Sequence, residues 1–520
     1  MFLLATFLAA LPQQPPAPFT DYPQQDAIRY AIAVTVDLEH STLQGSVDYT
    51  FAAIEPLTTI TLDAQHSADW RVEFTDGLGA PMAAQWQPDR VVLTLSKALG
   101  KGEQVQFRAN LAGKPVDGFY FTKNRYGEPM AFTDHYAIRA RGWLPCEDHP
   151  ADRALFTLHV VYPKDQELLA HGVPVAAATA VLPAVPAGFV AADLAATAEV
   201  APYMFAIVIG PLARVHEDGD SRIVDHFVYR RDVEKGKLAL VHNATWLQAM
   251  EKTFGPYLFQ KYTTAQCPTR WGGFEAPGNV LLAENLFDGP DHGKGTLAHE
   301  LVHMWFGDGI GYAVWRDVWL SEGFASYFGP WLQEQTGGPS LRDSLARLRT
   351  NWAKSREGHT KSIRDDRFAT PDAVLNANTY PKGAWVLHML RGELGDRTFF
   401  AALRSYYIQF AGQAVRNADF TAAVAKSAGV ELDWFFTQWL DRIGCPELQV
   451  APGEGAIVVE QVQKGEPYRF WLRLRWTDAQ GGAQERRVRV DSKVTRVEVQ
   501  GAVQDVQVDP DVELLYRTAK

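Results

Sequence analysis

His299-Glu300-Leu301-Val302-His303, with Trp319-Leu320-Ser321-Glu322-Gly323-Phe324-Ala325-Ser326-Tyr327 downstream, decides how this chain reads. Residues four apart on a helix lie about 40° from one another around its axis, so both imidazoles point the same way. A catalytic zinc takes three protein ligands and keeps a fourth position open. Two are His299 and His303, and Glu322 offers the third. The eighteen residues between His303 and Glu322 leave room for a helix end, a connection and the start of a second helix packed on the first. Glu300, beside the first histidine, then stands where a general base for an attacking water is needed.

The chain has 520 residues, too many for one core, and divides into several domains. With 47% hydrophobic residues and 15 tryptophans it has ample material for packed interiors. Net charge is −11 and there is no basic run, which argues against a nucleic-acid partner. The three cysteines, Cys146, Cys267 and Cys445, form neither a disulfide framework nor a paired metal knuckle, and read as small buried residues. Residues 1–11 are apolar, as long as a signal-peptide core and too short to span a bilayer. They favour export, periplasmic or secreted, over a cytoplasmic leader, although no Lys or Arg precedes them. No other segment reaches eighteen consecutive apolar residues, so no stable membrane span is expected.

Residues 1–24 form this leader and a Pro/Gln-rich tether. Alternating apolar residues begin at Tyr30, Ile32, Val34 and Val36 and recur, between turn residues, across residues 25–212. This is an all-β region of sandwich type. The period then changes. Leu238, Val241, Leu247, Met250 and Phe254 predict one amphipathic helix over about residues 233–254. A short strand, the glycine-rich loop Trp271-Gly272-Gly273-Phe274-Glu275-Ala276, a second strand and the two motif helices follow. Further apolar stripes at residues 382–395, 399–410, 420–428 and 432–443 predict helices, with Asp396 and Asn417 as caps. This mixed region covers residues 213–446. From residue 447 to 520 the period returns to two, with Phe470, Leu472, Leu474 and Trp476 on one face of a small β-sandwich.

The run His299-Glu-Leu-Val-His-Met-Trp-Phe-Gly-Asp308, with Trp315-Arg-Asp-Val-Trp-Leu-Ser-Glu-Gly-Phe-Ala-Ser-Tyr327, resembles the gluzincin aminopeptidase family, which includes aminopeptidase N and the leukotriene hydrolases. The resemblance implies a multidomain α+β architecture: an N-terminal all-β sandwich-type domain, a thermolysin-like zinc catalytic domain and a small C-terminal β-sandwich. It also implies a short form, without the helical-repeat domain of long members. Arg141-Gly-Trp-Leu-Pro-Cys-Glu-Asp-His-Pro150 partly matches the family's Trp-Phe-Pro-Cys-Phe-Asp-Glu-Pro loop, with Leu144 and Glu147 in place of aromatics.

By the same resemblance the site holds one Zn2+ on His299, His303 and Glu322, and Glu300 is its general base. Tyr380, in Tyr-Pro-Lys-Gly-Ala384, matches the family's Tyr-x-x-Gly-Ala element and is expected to donate to the oxyanion. Glu275, with Gly272 and Gly273, matches the Gly-x-Met-Glu-Asn motif that grips a substrate's α-ammonium. Phe274 replaces the methionine and Ala276 the asparagine. The second amine contact, which relatives supply from the N-terminal domain, aligns with no single residue of Asp134–Arg139. Asp317 and Asn376 read either as groups behind the ligands or as helix caps. The expected function is zinc-dependent removal of N-terminal residues from peptides with a free amine. The alternatives are a bifunctional epoxide hydrolase and aminopeptidase, a thermolysin-like endopeptidase, and a catalytically idle peptide-binding scaffold. Oligomeric state and residue preference are not encoded in any motif.

Overall fold

The computed structural model describes residues 22–176, 184–220, 222–453 and 455–519. Residues 1–11 and most of the Pro/Gln-rich tether lie outside them. Among the described residues no helix is long and apolar enough to cross a membrane.

Alternation builds the N-terminal part. In Gln25–Asp37 every second residue from Tyr30 to Val36 is buried. This strand pairs antiparallel with Thr42–Ala53 and parallel with Leu155–Pro163 at the middle of a seven-stranded sheet. Stacked ring pairs, Tyr30 with Phe156 at 5.0 Å and Tyr49 with Phe107 at 4.6 Å, fill its inner face. A three-stranded and a four-stranded sheet complete the unit and contribute to the same core. The loop through Pro145-Cys146 is pinned to it by charge. Arg141 lies between Asp148 at 3.0 Å and Asp63 at 3.4 Å, all three nearly inaccessible to solvent. Cys146 exchanges two backbone hydrogen bonds with Asp63, and its thiol is buried and free. The loop is therefore a structural clamp, and it fixes the segment just upstream that reaches the functional site.

Leu212 opens the next unit. Leu212–His216 pairs with Ile223–Tyr229 at one edge of a five-stranded sheet that continues through Lys261–Cys267 and Asn279–Ala283 to the two-residue edge strand Gly273–Phe274. The helix expected over residues 233–254 is two helices, Val233–Ala239 and Asn243–Phe254. His242 stands between them with φ of 81°, a left-handed conformation that ends the first helix and redirects the chain. As a result Leu238 is 63% exposed, whereas Leu247, Met250 and Phe254 are buried. The caps are also shifted. Asp396 and Asn417 are the first helical residues, and it is the Asp419 carboxylate that accepts from the Arg416 amide at 2.8 Å.

Lys294–His303 and Trp319–Gln335 cross at very short range, and glycines permit it. A Cβ on Gly329 would lie 3.2 Å from the backbone nitrogen of His299. One turn and a half earlier, Gly323 faces Gly383 of the helix Gly383–Leu394 so closely that a Cβ on Gly383 would be 2.8 Å from the Cα of Gly323. The C-terminal residues form a four-stranded and a three-stranded sheet, with Phe470, Leu472, Leu474 and Trp476 buried on one face of Phe470–Thr477.

Buried neutral histidines make this fold acid-sensitive. Burial pulls His135 down to about 3, and its Nε2 accepts from the Trp143 indole at 2.9 Å, so that nitrogen must stay unprotonated. Burial likewise lowers His388 to about 4. An unfolded histidine titrates near 6.5, so below that pH the unfolded chain binds protons that these folded residues refuse. Their stabilising contribution is complete above about pH 6.5 and shrinks by on the order of 1 kcal/mol per histidine per pH unit as pH falls toward the folded values. Urea midpoints measured between pH 7.5 and 5 are expected to fall, and to fall less steeply in His135→Gln. An equal slope in that variant would show that His135 is not one of the groups responsible.

Candidate active site

The two crossing helices bring the expected ligands together. Nε2 of His299 is 3.1 Å and Nε2 of His303 3.5 Å from Oε2 of Glu322. One donor atom from each of the three falls within 4.8 Å of the others. Nδ1 of His303 lies 2.8 Å from the Ser321 hydroxyl and 3.2 Å from the Phe306 carbonyl oxygen. A carbonyl can only accept, so Nδ1 carries a proton, which leaves Nε2 as the atom that faces Glu322 and would ligate a metal. Gly307, with φ of 132°, makes room for this arrangement, because a Cβ there would lie 2.4 Å from Ser321 Oγ.

Two nitrogens and one carboxylate at this spacing fit zinc, which favours just such a donor set in catalytic sites. The electrostatics agree. Burial alone would lower His303, yet Glu275, Glu322 and Glu300 outweigh it and raise the ring to about 10. Burial alone would raise Glu322, yet His303 and His299 hold it down to about 2. The surrounding carboxylates thus favour positive charge at this position. A bound metal would displace a ring proton, since imidazole ligates in its neutral form.

Glu300 is 5% exposed and points its carboxylate at the glycine loop. A Cβ on Gly273 would stand 2.4 Å from Glu300 Oε1, so this position admits only hydrogen. Gly272 is different, because a Cβ there would meet nothing nearer than Thr296 at 3.9 Å. Burial first, and then Glu275 and Glu322, raise the Glu300 carboxyl well above its usual range, with His303 opposing. Glu275 is 7% exposed and likewise raised by burial. It also forms a set with Glu300 and His303 in which one donor atom from each lies within 4.8 Å of the others. Tyr380 lies in a π-helical turn, Asn378–Lys382, directly before Gly383, and its ring stacks on His299 at 5.9 Å with planes 9° apart. Burial and the nearby Glu322 push its phenol well above the normal value, so it remains a neutral donor.

All eight expected residues line one cavity of about 320 Å³. Three walls were not legible in the sequence: Tyr136 from the N-terminal domain, Trp271, and Leu375. Tyr136 is the residue of the unassigned stretch 134–139 that reaches the cavity. Residues 130–137 are all buried, so no period distinguishes the one side chain that turns inward. Asp317 and Asn376 do not contact the ligands in any hydrogen bond. Asp317 accepts from the Asn417 amide at 2.8 Å and so caps the helix Asn417–Ala428. The Asn376 side-chain oxygen accepts from the Asn378 amide at 2.9 Å and secures the turn that carries Tyr380.

Residues 26–180 match the model of the peptidase M1 N-terminal domain, and residues 238–439 match the peptidase family M1 domain. The chain belongs to peptidase family M1. It is 28% identical over 470 residues to aminopeptidase M1-C of Oryza sativa subsp. japonica, covering 84% of this chain and 52% of that protein. Identity to aminopeptidase M1 of Arabidopsis thaliana is 27% over 468 residues, covering 83% of this chain and 52% of that one. The chain thus spans about half the length of these curated relatives. Among solved structures it is similar to the M1 zinc metallopeptidase of Deinococcus radiodurans, with a TM-score of 0.70 and 25% identity over 82% of this chain and 95% of that one.

Because only hydrogen fits at Gly273, Gly273→Ala is expected to displace the Glu300 carboxylate. Displacements near 1 Å cost roughly 100-fold in rate. Hydrolysis of an aminoacyl anilide should drop by about that factor while zinc content, read by elemental analysis, stays at the wild-type level. Gly272→Ala should behave like wild type, and equal effects at both glycines would contradict the steric assignment.

Proposed function

We propose that the protein is a zinc-dependent aminopeptidase that removes N-terminal residues from peptides with a free α-amine. One observation carries this reading: Glu275 lines the same cavity as His299, His303 and Glu322, so an amine anchor and a metal site share one enclosure. Zinc held by those three residues supplies Lewis-acid polarisation of the scissile carbonyl and lowers the pKa of a water.

The chain's own groups divide the remaining work. Glu275 accepts hydrogen bonds from the substrate's ammonium and sets the depth to which the peptide enters. Glu300, whose burial makes its carboxylate a stronger base than usual, takes a proton from the attacking water and hands it to the leaving nitrogen. The Tyr380 hydroxyl donates to the oxygen on which negative charge develops. The carboxylates are buried, and the lower dielectric around them strengthens each of these interactions.

Other readings are less well supported. A long apolar cleft for a lipid epoxide is not what surrounds these residues, since Glu275, Glu300 and Glu322 all face the cavity. An idle scaffold would have no reason to keep the complete set. An endopeptidase would gain nothing from a carboxylate that ends the cleft. A structure of the D. radiodurans enzyme bound to a Tyr-Ser-Ala substrate, similar to this chain at a TM-score of 0.70, supports peptides as the substrate class.

The test is a panel of aminoacyl anilides and their N-acetylated counterparts, with and without chelator. Free-amine substrates should be cleaved, acetylated ones at under about 1% of that rate, and chelation should abolish both. Glu300→Gln should lose roughly 100- to 10,000-fold in kcat with zinc retained. Equal cleavage of acetylated substrates would remove the exopeptidase assignment, and undiminished turnover in Glu300→Gln would remove the mechanism.

A further inference from the structure

Three separate stretches wall the cavity on the side away from the helices: Tyr136 from the N-terminal domain, the loop Trp271–Glu275, and Leu375. One side chain touches or faces all three. Arg270 Nη2 donates to the Tyr136 carbonyl oxygen at 2.7 Å, and its Nε donates to Asp134 Oδ2 at 3.1 Å. The same Nη2 lies 3.7 Å from Asp372 Oδ1, three residues before Leu375. The guanidinium stacks over the Trp271 ring, 4.2 Å from its centroid. Asp134 closes the circuit, because its Oδ1 accepts from Trp271 Nε1 at 3.2 Å. Its own amide is tied to the Gly118 carbonyl at 3.0 Å.

We propose that Arg270 is a positioning residue that locks the amine-anchoring loop to the N-terminal domain and thereby sets where Glu275 sits relative to the metal ligands. The loop needs such a lock. It is an edge strand only two residues long, followed by Ala276, and Gly272 and Gly273 give it no side chains with which to pack. Two glycines carry a high conformational entropy cost on ordering, so a loop built on them is held by its flanks. On one flank stands Arg270, a planar donor able to satisfy a carboxylate, a carbonyl and an aromatic face together, which lysine cannot do. The guanidinium is half-exposed and makes no contact with the ligand residues, so its effect is confined to the anchor side of the cavity.

This inference rests on the aminopeptidase reading, and the experiment separates the two. Arg270→Gln, Arg270→Lys and Asp372→Asn are compared with wild type for kcat, KM, zinc content and inhibition by two hydroxamates. One is an amino-acid hydroxamate with a free α-amine, and the other is acetohydroxamate, which has none. Arg270→Gln is expected to raise KM for free-amine substrates about tenfold and to weaken the amino-acid hydroxamate equally. Acetohydroxamate inhibition, zinc content and kcat should stay within about twofold of wild type. Arg270→Lys should recover part of the loss, and Asp372→Asn should show a smaller loss of the same kind. If Arg270→Gln does not fold, those two variants carry the same comparison. Equal weakening of both hydroxamates would mean that Arg270 acts on the metal site, and no change in either would mean that it positions nothing. Each of these results overturns the proposal. If wild type itself fails to distinguish free from acetylated substrates, the aminopeptidase reading is what fails.

Discussion

Everything at the site depends on how closely three helical backbones approach one another. Gly329 lets the backbone of Trp319–Gln335 touch the first histidine's turn, and the Gly323–Gly383 contact brings the Tyr380 turn against the same helix. With Cβ atoms at these points the helices would separate toward the usual 8–10 Å interaxial distance. Glu322 could then no longer reach both imidazoles, because a carboxylate spans only a few ångströms. The glycines are a metric constraint: they convert a sequence spacing into a donor set within 4.8 Å. Side chains on either side of each contact, His299 and Glu322 among them, are presented from rigid backbone rather than from loops.

That closeness carries an electrostatic cost. Glu275, Glu300 and Glu322 are all buried within one enclosure, where like charges at low dielectric repel strongly. Burial and mutual repulsion raise the Glu300 and Glu275 carboxyls, and the same carboxylates raise His303. A divalent cation and a substrate ammonium answer the same demand more fully. The pocket's affinity for both is thus one property. The same cluster would favour cations, with Glu322 proposed for the metal and Glu275 for the amine.

Much of this was legible in the sequence because it is local and periodic. His299, His303 and Glu300 follow from helix geometry, and the strands of residues 25–212 and 447–520 follow from alternation. Glu322 followed from the need for a third ligand and its spacing from His303. Glu275 and Tyr380 were reached through resemblance to a family, and the structure places all three together. What was not legible is either irregular or long-range. Tyr136 stands in a segment buried almost throughout, so burial pattern could not single it out. The break at His242 depends on one left-handed residue inside an apolar stripe that reads continuously. The caps at Arg416 and Asn417 are set by partners 3 and 100 residues away, Asp419 and Asp317, and the distant one is invisible to a local rule.

The division of labour between the two larger units follows from these contacts. In the proposed mechanism the helical unit alone supplies the metal ligands, the base and the oxyanion donor. On the proposed reading, removal of a terminal residue requires a wall that stops the substrate at its amine. That wall is assembled at the seam, from Glu275 on a glycine loop and Tyr136 on the N-terminal β unit. Tyr136 is held edge-on against Tyr203, Trp271 and Trp315, and its carbonyl oxygen accepts from Arg270. Exopeptidase character, on this view, resides in the packing of the β unit against the loop rather than in the metal centre. The N-terminal unit is therefore part of the active site, although it contributes no ligand to the metal.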